Sequence, residues 1–239
     1  MKNGLRAITS VKIVTVGSVN NYIKESLRTS PEKLLFNKIT VFVKDPLPEN
    51  VNIDRVLSSI EERIPEHLVY AIDMIYIGEF EEFEKRETNA AYKDGALYIT
   101  NEQSDEDDMI DDIVHEMAHA CEETYFSLIY SDGTIQDEFV GKRKRLYEIL
   151  KVEGYKVSLE DFLNTDYSEQ FDLFLYEEVG YDKLTFFTMG LFVSPYGATS
   201  YREYFANAFE HYFLTDPHYV KIISPAVYEK IDGLVFMEI

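Results

Sequence analysis

Tryptophan is absent from this 239-residue chain, and cysteine occurs once, as Cys121. A single thiol excludes an intrachain disulfide and gives no sign of an oxidising compartment. Basic residues are scarce. Lys and Arg number 23 against 44 Asp and Glu, a net charge of −21. Such a surface repels nucleic acid and anionic membrane, so neither is an expected partner. No run approaches the ~20 apolar residues of a membrane-spanning helix. The apolar stretch VKIVTVGSV near the N-terminus is short and broken by Lys12, and it reads as a strand rather than a secretion signal. The expected location is therefore cytoplasmic, with export by a non-classical route left open. Internal repeats and low-complexity linkers are also missing.

What is present suffices for one sizeable core. The chain is 46% hydrophobic and 14% aromatic, which argues against disorder and allows one core in two lobes. KITVFVKD (38–45) alternates as a strand does. IDRVLSSIEERI follows with Ile53, Val56, Leu57, Ile60 and Ile64 at helical spacing, and HLVYAIDMIYIGEF (67–80) returns as a strand. Residues 38–80 thus predict β-α-β. AAYKDGALYITN (90–101) predicts a hairpin or short edge strand around a Lys-Asp-Gly turn.

A helix is announced by Ser104 and Asp107, an S-x-x-D capping box, and by the acids from Asp105 to Asp108, which suit a helix N-terminus. It should run to about Tyr125. Beyond residue 126 the pattern is helical: DEFVGKRKRLYEILKVEG closing at Gly154, SLEDFLN, SEQFDLFLYEEVG, YREYFANAFEHYFL and SPAVYEKIDGLV. The fold class expected is α+β. A small mixed β-sheet with this helix packed on it forms an N-terminal lobe (1–126), and a mostly helical C-terminal lobe occupies 127–239.

The acidic helix contains HEMAH. On a helix, positions four apart lie one above the other, so His115 and His119 present both rings to one point. Ile110, Ile113, Val114, Met117 and Cys121 form an apolar stripe on another side, where Cys121 should be buried and inert. Glu116 stands one step round. Two imidazoles that bind Zn²⁺ with an adjacent glutamate as base are the chemistry of H-E-x-x-H. Zinc lowers the pKa of its water towards ~7, and Glu116 on that zinc-bound water takes the proton and hands it to the leaving amine.

A catalytic zinc needs a third protein ligand. A metzincin would carry Gly at 122 and His at 125, but Glu122 and Tyr125 stand there, which excludes that class. Gly133-Thr134-x-x-Asp137 has the aspzincin spacing but also reads as an ordinary Asp-Gly turn. Glu138 has thermolysin-like spacing from His119, although Lys142 occupies the position where an aspartate would follow. Glu203 is the strongest candidate, with Glu210 on the same helix face behind it. Glu203 also completes a capping box with Ser200.

The stretch SPYGATSYREYFANAFEHYF resembles the catalytic domain of anthrax lethal factor and the Pro-Pro endopeptidases. There, a tyrosine precedes by seven residues a glutamate opening an E-[FY]-F-A-x-A-F run, matched here by Tyr196 and Glu203. With HEMAH, the likeness covers residues 90–125 and 193–233, about a third of the chain. It implies a two-lobed zincin-like fold of the gluzincin type. One Zn²⁺ per chain would be held by His115, His119 and Glu203, with Glu116 as base and Tyr196 donating to the oxyanion. The resemblance also implies that a peptide or protein substrate pairs with an edge strand near Gly95–Thr100. This chain departs from it twice. Glu203 follows His119 by 84 residues, so residues 127–190 are expected as a helical insertion over the cleft, and Asn207 stands where lethal factor has a glutamate.

The activity expected is zinc-dependent endopeptidase hydrolysis of an extended peptide. The alternatives are a catalytically silent, zinc-stabilised peptide-binding or toxin-accessory protein, and an amidase on the same zinc. Tyr201 and Tyr204 are rival oxyanion donors. Phe205, Phe209 and Phe213 are expected in the core, His67, His211 and His218 away from the metal, and GKRKR (141–145) on a solvated helix face.

Overall fold

The computed structural model describes residues 33–81 and 88–237. The expected strand VKIVTVGSV lies outside them. Among the described residues the fold is α+β, with a five-stranded mixed sheet and a predominance of helix. The chain divides into two compact units, one ending at Thr124 and the other beginning at Tyr125. Among the described residues, no helix is long and apolar enough to cross a membrane.

The first unit carries the sheet. Strands β1 (Lys33–Leu35), β2 (Ile39–Val43), β3 (Met74–Gly78), β4 (Ala90–Lys93) and β5 (Ala96–Thr100) lie in the order β1-β2-β3-β5-β4. The β2 and β3 pair is parallel, joined through helix α1 (Ile53–Arg63), so the β-α-β expectation holds. Asn52 caps α1, its side chain accepting from the N–H of Asp54 and Arg55. Only Met74–Gly78 of the predicted 67–80 strand is extended. Glu66–Val69 forms a 3-10 turn after Pro65. Leu68, Val69 and Ile72, all buried there, follow helical rather than alternating spacing.

Register places Phe42, Tyr76 and Tyr98 side by side on one sheet face, their rings stacked at 5.3 and 5.5 Å, with Ala91 next in the row. Val41, Ile75, Leu97 and Tyr92 form the adjoining row on the opposite face. Both faces are buried, so these strands show little simple alternation.

The expected edge at Gly95–Thr100 is corrected by the topology. Strand β5 is internal, parallel to β3 on one side and antiparallel to β4 on the other. Among the described residues the sheet ends on β1 and on β4, and Gly95 (φ +79) belongs to the turn between β4 and β5.

Helix α2 (Glu106–Tyr130) has its N-cap one residue later than expected. Asp105 Oδ1 accepts from Asp108 N–H at 3.0 Å, while Asp108 Oδ2 accepts from Ser104 N–H at 3.1 Å. The α2 backbone leaves helical geometry at Tyr125 (φ −113, ψ 21), beside the boundary between the units.

The second unit is helical. It comprises α3 (Thr134–Val152), α4 (Leu159–Leu163), α5 (Glu169–Leu173), a π-helical turn Phe174–Gly180, α6 (Tyr181–Thr188), a 3-10 turn Tyr196–Ala198, α7 (Tyr201–Leu214), α8 (Pro217–Ile223) and α9 (Pro225–Val235). Gly154 (φ +90) follows the C-cap of α3, as its glycine implied. The solvated-face expectation for GKRKR fails at two of its residues, because Lys142 and Arg143 are buried. Ile135, Phe139, Leu146 and Leu150 are buried on α3, and positions 142 and 143 fill the same helical stripe.

Candidate metal centre

His115, Glu116 and His119 are buried on α2, with 5%, 5% and 1% of their surfaces exposed. The two imidazole centroids are 5.2 Å apart, as spacing of four along a helix requires. Glu203 is 3% exposed in the first turn of α7, where Ser200 Oγ accepts from its N–H at 3.2 Å. The Ser200 cap uses the Glu203 main-chain N–H and does not involve its carboxylate. One ligand atom from each of His115, His119 and Glu203 lies within 4.8 Å of the others, close enough to hold one metal ion. Among the described residues, no other group of His, Cys, Asp and Glu meets that condition.

The donor set suits a cation. His119 Nδ1 is 2.7 Å from Glu122 Oε2, and both side chains are 2% exposed. The tautomer that donates from Nδ1 to this carboxylate is the one whose Nε2 presents the lone pair a metal requires. Glu116, Glu122 and Glu203 are all buried. A dication on His115, His119 and Glu203 offsets charge that burial otherwise penalises. Glu122 is absent from the candidates read from the sequence, although its i,i+3 spacing from His119 is visible there.

The remaining third-ligand candidates are engaged or displaced. Glu138 accepts from Tyr204 Oη at 2.7 Å and from Ala226 N–H at 3.0 Å. Asp137 is exposed in the first turn of α3, so Gly133-Thr134 is a helix start rather than a ligand element. Glu210 is half-buried beside His211.

Tyr196 is buried at the start of its 3-10 turn, where Thr199 N–H and Oγ1–H both donate to its carbonyl. Its rival Tyr204 spends its hydroxyl on Glu138, and the cost of burying a phenolate next to that carboxylate raises the Tyr204 pKa. The ring of Tyr201 lies against Tyr130 and Phe139. Asn207 donates to the Glu203 carbonyl at 2.8 Å and accepts from Ser194 Oγ. It therefore fastens the strand of chain before Tyr196 to the helix of Glu203. Phe205 and Phe209 are wholly buried, with Phe213 packed on Phe209. Cys121 is buried, and burial raises its thiol pKa, as an inert cysteine requires.

Strand β4 meets Glu116 directly. Thr100 N–H donates to Asn89 O at 2.7 Å. By the register of β4 on β5, residues 91 and 93 then bond inward while Ala90 and Tyr92 direct their N–H and C=O outward. The Tyr92 N–H donates to Glu116 Oε2 at 2.6 Å, and its phenol donates to Glu123 Oε2 at 2.6 Å.

No family model, curated protein or solved structure matches the chain.

Proposed function

We propose that the chain is a zinc-dependent metalloendopeptidase of the gluzincin type, with the two-lobed zincin-like architecture of the lethal-factor and Pro-Pro endopeptidase catalytic domains. The observation that carries this reading is the approach of Glu203 to His115 and His119 within 4.8 Å, all three buried. Two nitrogens and one carboxylate oxygen are a zinc donor set that leaves a coordination position for chemistry. When bound, zinc supplies Lewis acidity and brings the pKa of a water towards ~7.

The chain's own residues account for the rest. Glu116, next to the first ligand and held by the Tyr92 N–H, accepts the proton of the attacking water and returns it to the leaving amine. Tyr196 donates a hydrogen bond to the developing oxyanion without adding charge. Strand β4, with Ala90 directed outward, offers the edge on which an extended substrate pairs. The proposed docking strand is thus β4 rather than the Gly95–Thr100 segment.

The test is incubation of the zinc-loaded protein with a proteome-derived peptide library, beside Glu116→Ala. Cut peptides are expected from the parent and none from the variant, with zinc content unchanged. An uncut library would favour an amidase. Full function in Glu116→Ala would favour a zinc-stabilised binding protein.

A further inference from the structure

Residues 127–190 lie between His119 and Glu203 in the chain, and within them is a charged side chain that the metal chemistry does not use. Arg143, on α3, is 1% exposed. Its guanidinium stands 4.0 Å from the Phe171 ring centroid, with Phe139 and Phe162 at 5.4 and 5.5 Å. Its hydrogen-bond partners are carbonyls. Nη1 donates to Ala198 O at 2.7 Å and to Thr199 O at 3.1 Å, and Nη2 donates to Asp161 O. Burial lowers its pKa to about 9, which leaves it charged at neutral pH.

Those acceptors have a particular place. Ala198 ends the 3-10 turn that begins at Tyr196, and Thr199 directly precedes Ser200, the N-cap of the helix carrying Glu203. Carbonyls at the end of a helical turn lack partners within it. A planar guanidinium satisfies two of them at once, which an ammonium on a flexible stem does less well. One step further, Tyr201 N–H donates to Thr165 O at 2.9 Å. Residues 143 and 165 thus grip the chain at positions 198, 199 and 201, all between Tyr196 and Glu203.

Stability alone is a poor reason for this arrangement. Burying a guanidinium against neutral carbonyls carries a desolvation penalty, and an apolar side chain would fill the same aromatic pocket without it. We propose that Arg143 is a positioning residue for the metal centre: its guanidinium fixes the turn that joins Tyr196 to Glu203, and so sets where the third carboxylate stands. The intervening segment then serves as the scaffold of the third ligand. This rests on Glu203 being a ligand.

The experiment measures zinc affinity by chelator competition, and the visible absorption of the cobalt-substituted protein, at a temperature where every variant is folded. The proteins are the parent, His119→Ala, Arg143→Lys, Arg143→Gln, and Leu146→Ala as a control for a destabilised core on the same helix. Arg143→Gln should bind zinc at least about tenfold more weakly and alter the cobalt spectrum. Arg143→Lys should fall between it and the parent, and Leu146→Ala should bind as the parent does. Parental affinity and spectrum in both Arg143 variants would overturn the inference alone, and so would an equal loss in Leu146→Ala. A parent that retains no more zinc than His119→Ala would overturn the metal reading and this one together. A measurement without variants guards against failure to fold. In the metal-free parent, the amides of Thr199, Tyr201 and Glu203 should exchange as slowly as those of the α3 core, and exchange at loop rates would defeat the proposal.

Discussion

The main-chain N–H of Tyr92 donates to Glu116 Oε2 at 2.6 Å, which ties the edge of the sheet to the proposed base. Seven residues along the same helix, Glu123 accepts from the Tyr92 phenol at 2.6 Å. Positions 116 and 123 are two turns apart and share a face, so one strand residue fastens that face at two points. The donor that orients Glu116 is therefore also one of the outward groups on the strand proposed to receive substrate.

A proline at position 92 tests this bond. The Tyr92 N–H points away from β5, and proline is tolerated on an edge strand in that orientation. Tyr92→Ala and Tyr92→Pro both lose the phenol, but only the second loses the donor. Cleavage of the best library peptide should be at least about tenfold slower in Tyr92→Pro than in Tyr92→Ala, as expected when a positioned hydrogen bond to a charged group is lost. Equal rates would separate the strand from the base.

Two tyrosines can be told apart by what each variant loses. Tyr204→Phe strips Glu138 of a part-buried donor and should cost about 1–3 kcal/mol of stability while leaving kcat unchanged. Tyr196→Phe should lower kcat by roughly 10²-fold, as loss of an oxyanion donor does, with a smaller effect on unfolding. Urea unfolding and turnover on the same samples decide it, and an exchange of the two phenotypes would transfer the role to Tyr204.

Metal retention should depend on Glu122 as well as on the ligands. Glu122→Ala leaves His119 without its Nδ1 acceptor and should weaken zinc binding about 10–100-fold. Glu203→Ala should retain zinc clearly less well than the parent, and a chelator should abolish cleavage reversibly. Unchanged retention in Glu203→Ala would remove that carboxylate from the metal.

Asp112 predicts a pH dependence in the metal-free protein. Burial raises its carboxyl from 3.8 to about 7, against the partial opposition of a hydrogen bond from Gln103 Nε2 at 3.0 Å. Between those two pH values the folded chain keeps a proton that the unfolded chain has released. The contribution of Asp112 to stability therefore falls as pH rises from about 4 to about 7 and then levels off. Asp112→Asn should gain on the parent steadily across that window, as read by urea unfolding in chelator at pH 5, 6, 7 and 8. Parallel curves for the two proteins would refute it.

The local parts of the site were legible because they follow from periodicity. His115 and His119 share a face by helical spacing alone, the Ser200 cap is written in S-x-x-E, and the β-α-β unit shows in its apolar pattern. The buried stripe of α3 was equally visible at Ile135, Phe139, Leu146 and Leu150. The basic letters at 142 and 143 outweighed that phase, and the helix geometry overrode them. Strand β5 was misplaced for a different reason. Its one-dimensional pattern is the same at an edge or in the middle, and only its pairing with β3 decides which.

By itself the sequence determined which side chains stand together on a single helix, since covalent spacing and the 3.6-residue turn leave no choice. Tertiary structure alone decided which distant carboxylate joins the two imidazoles. Four acids had suitable chemistry, and no local rule ranks contacts between residues 84 apart. That choice depends on how the intervening helices fold, and on the carbonyls that Arg143 holds in place.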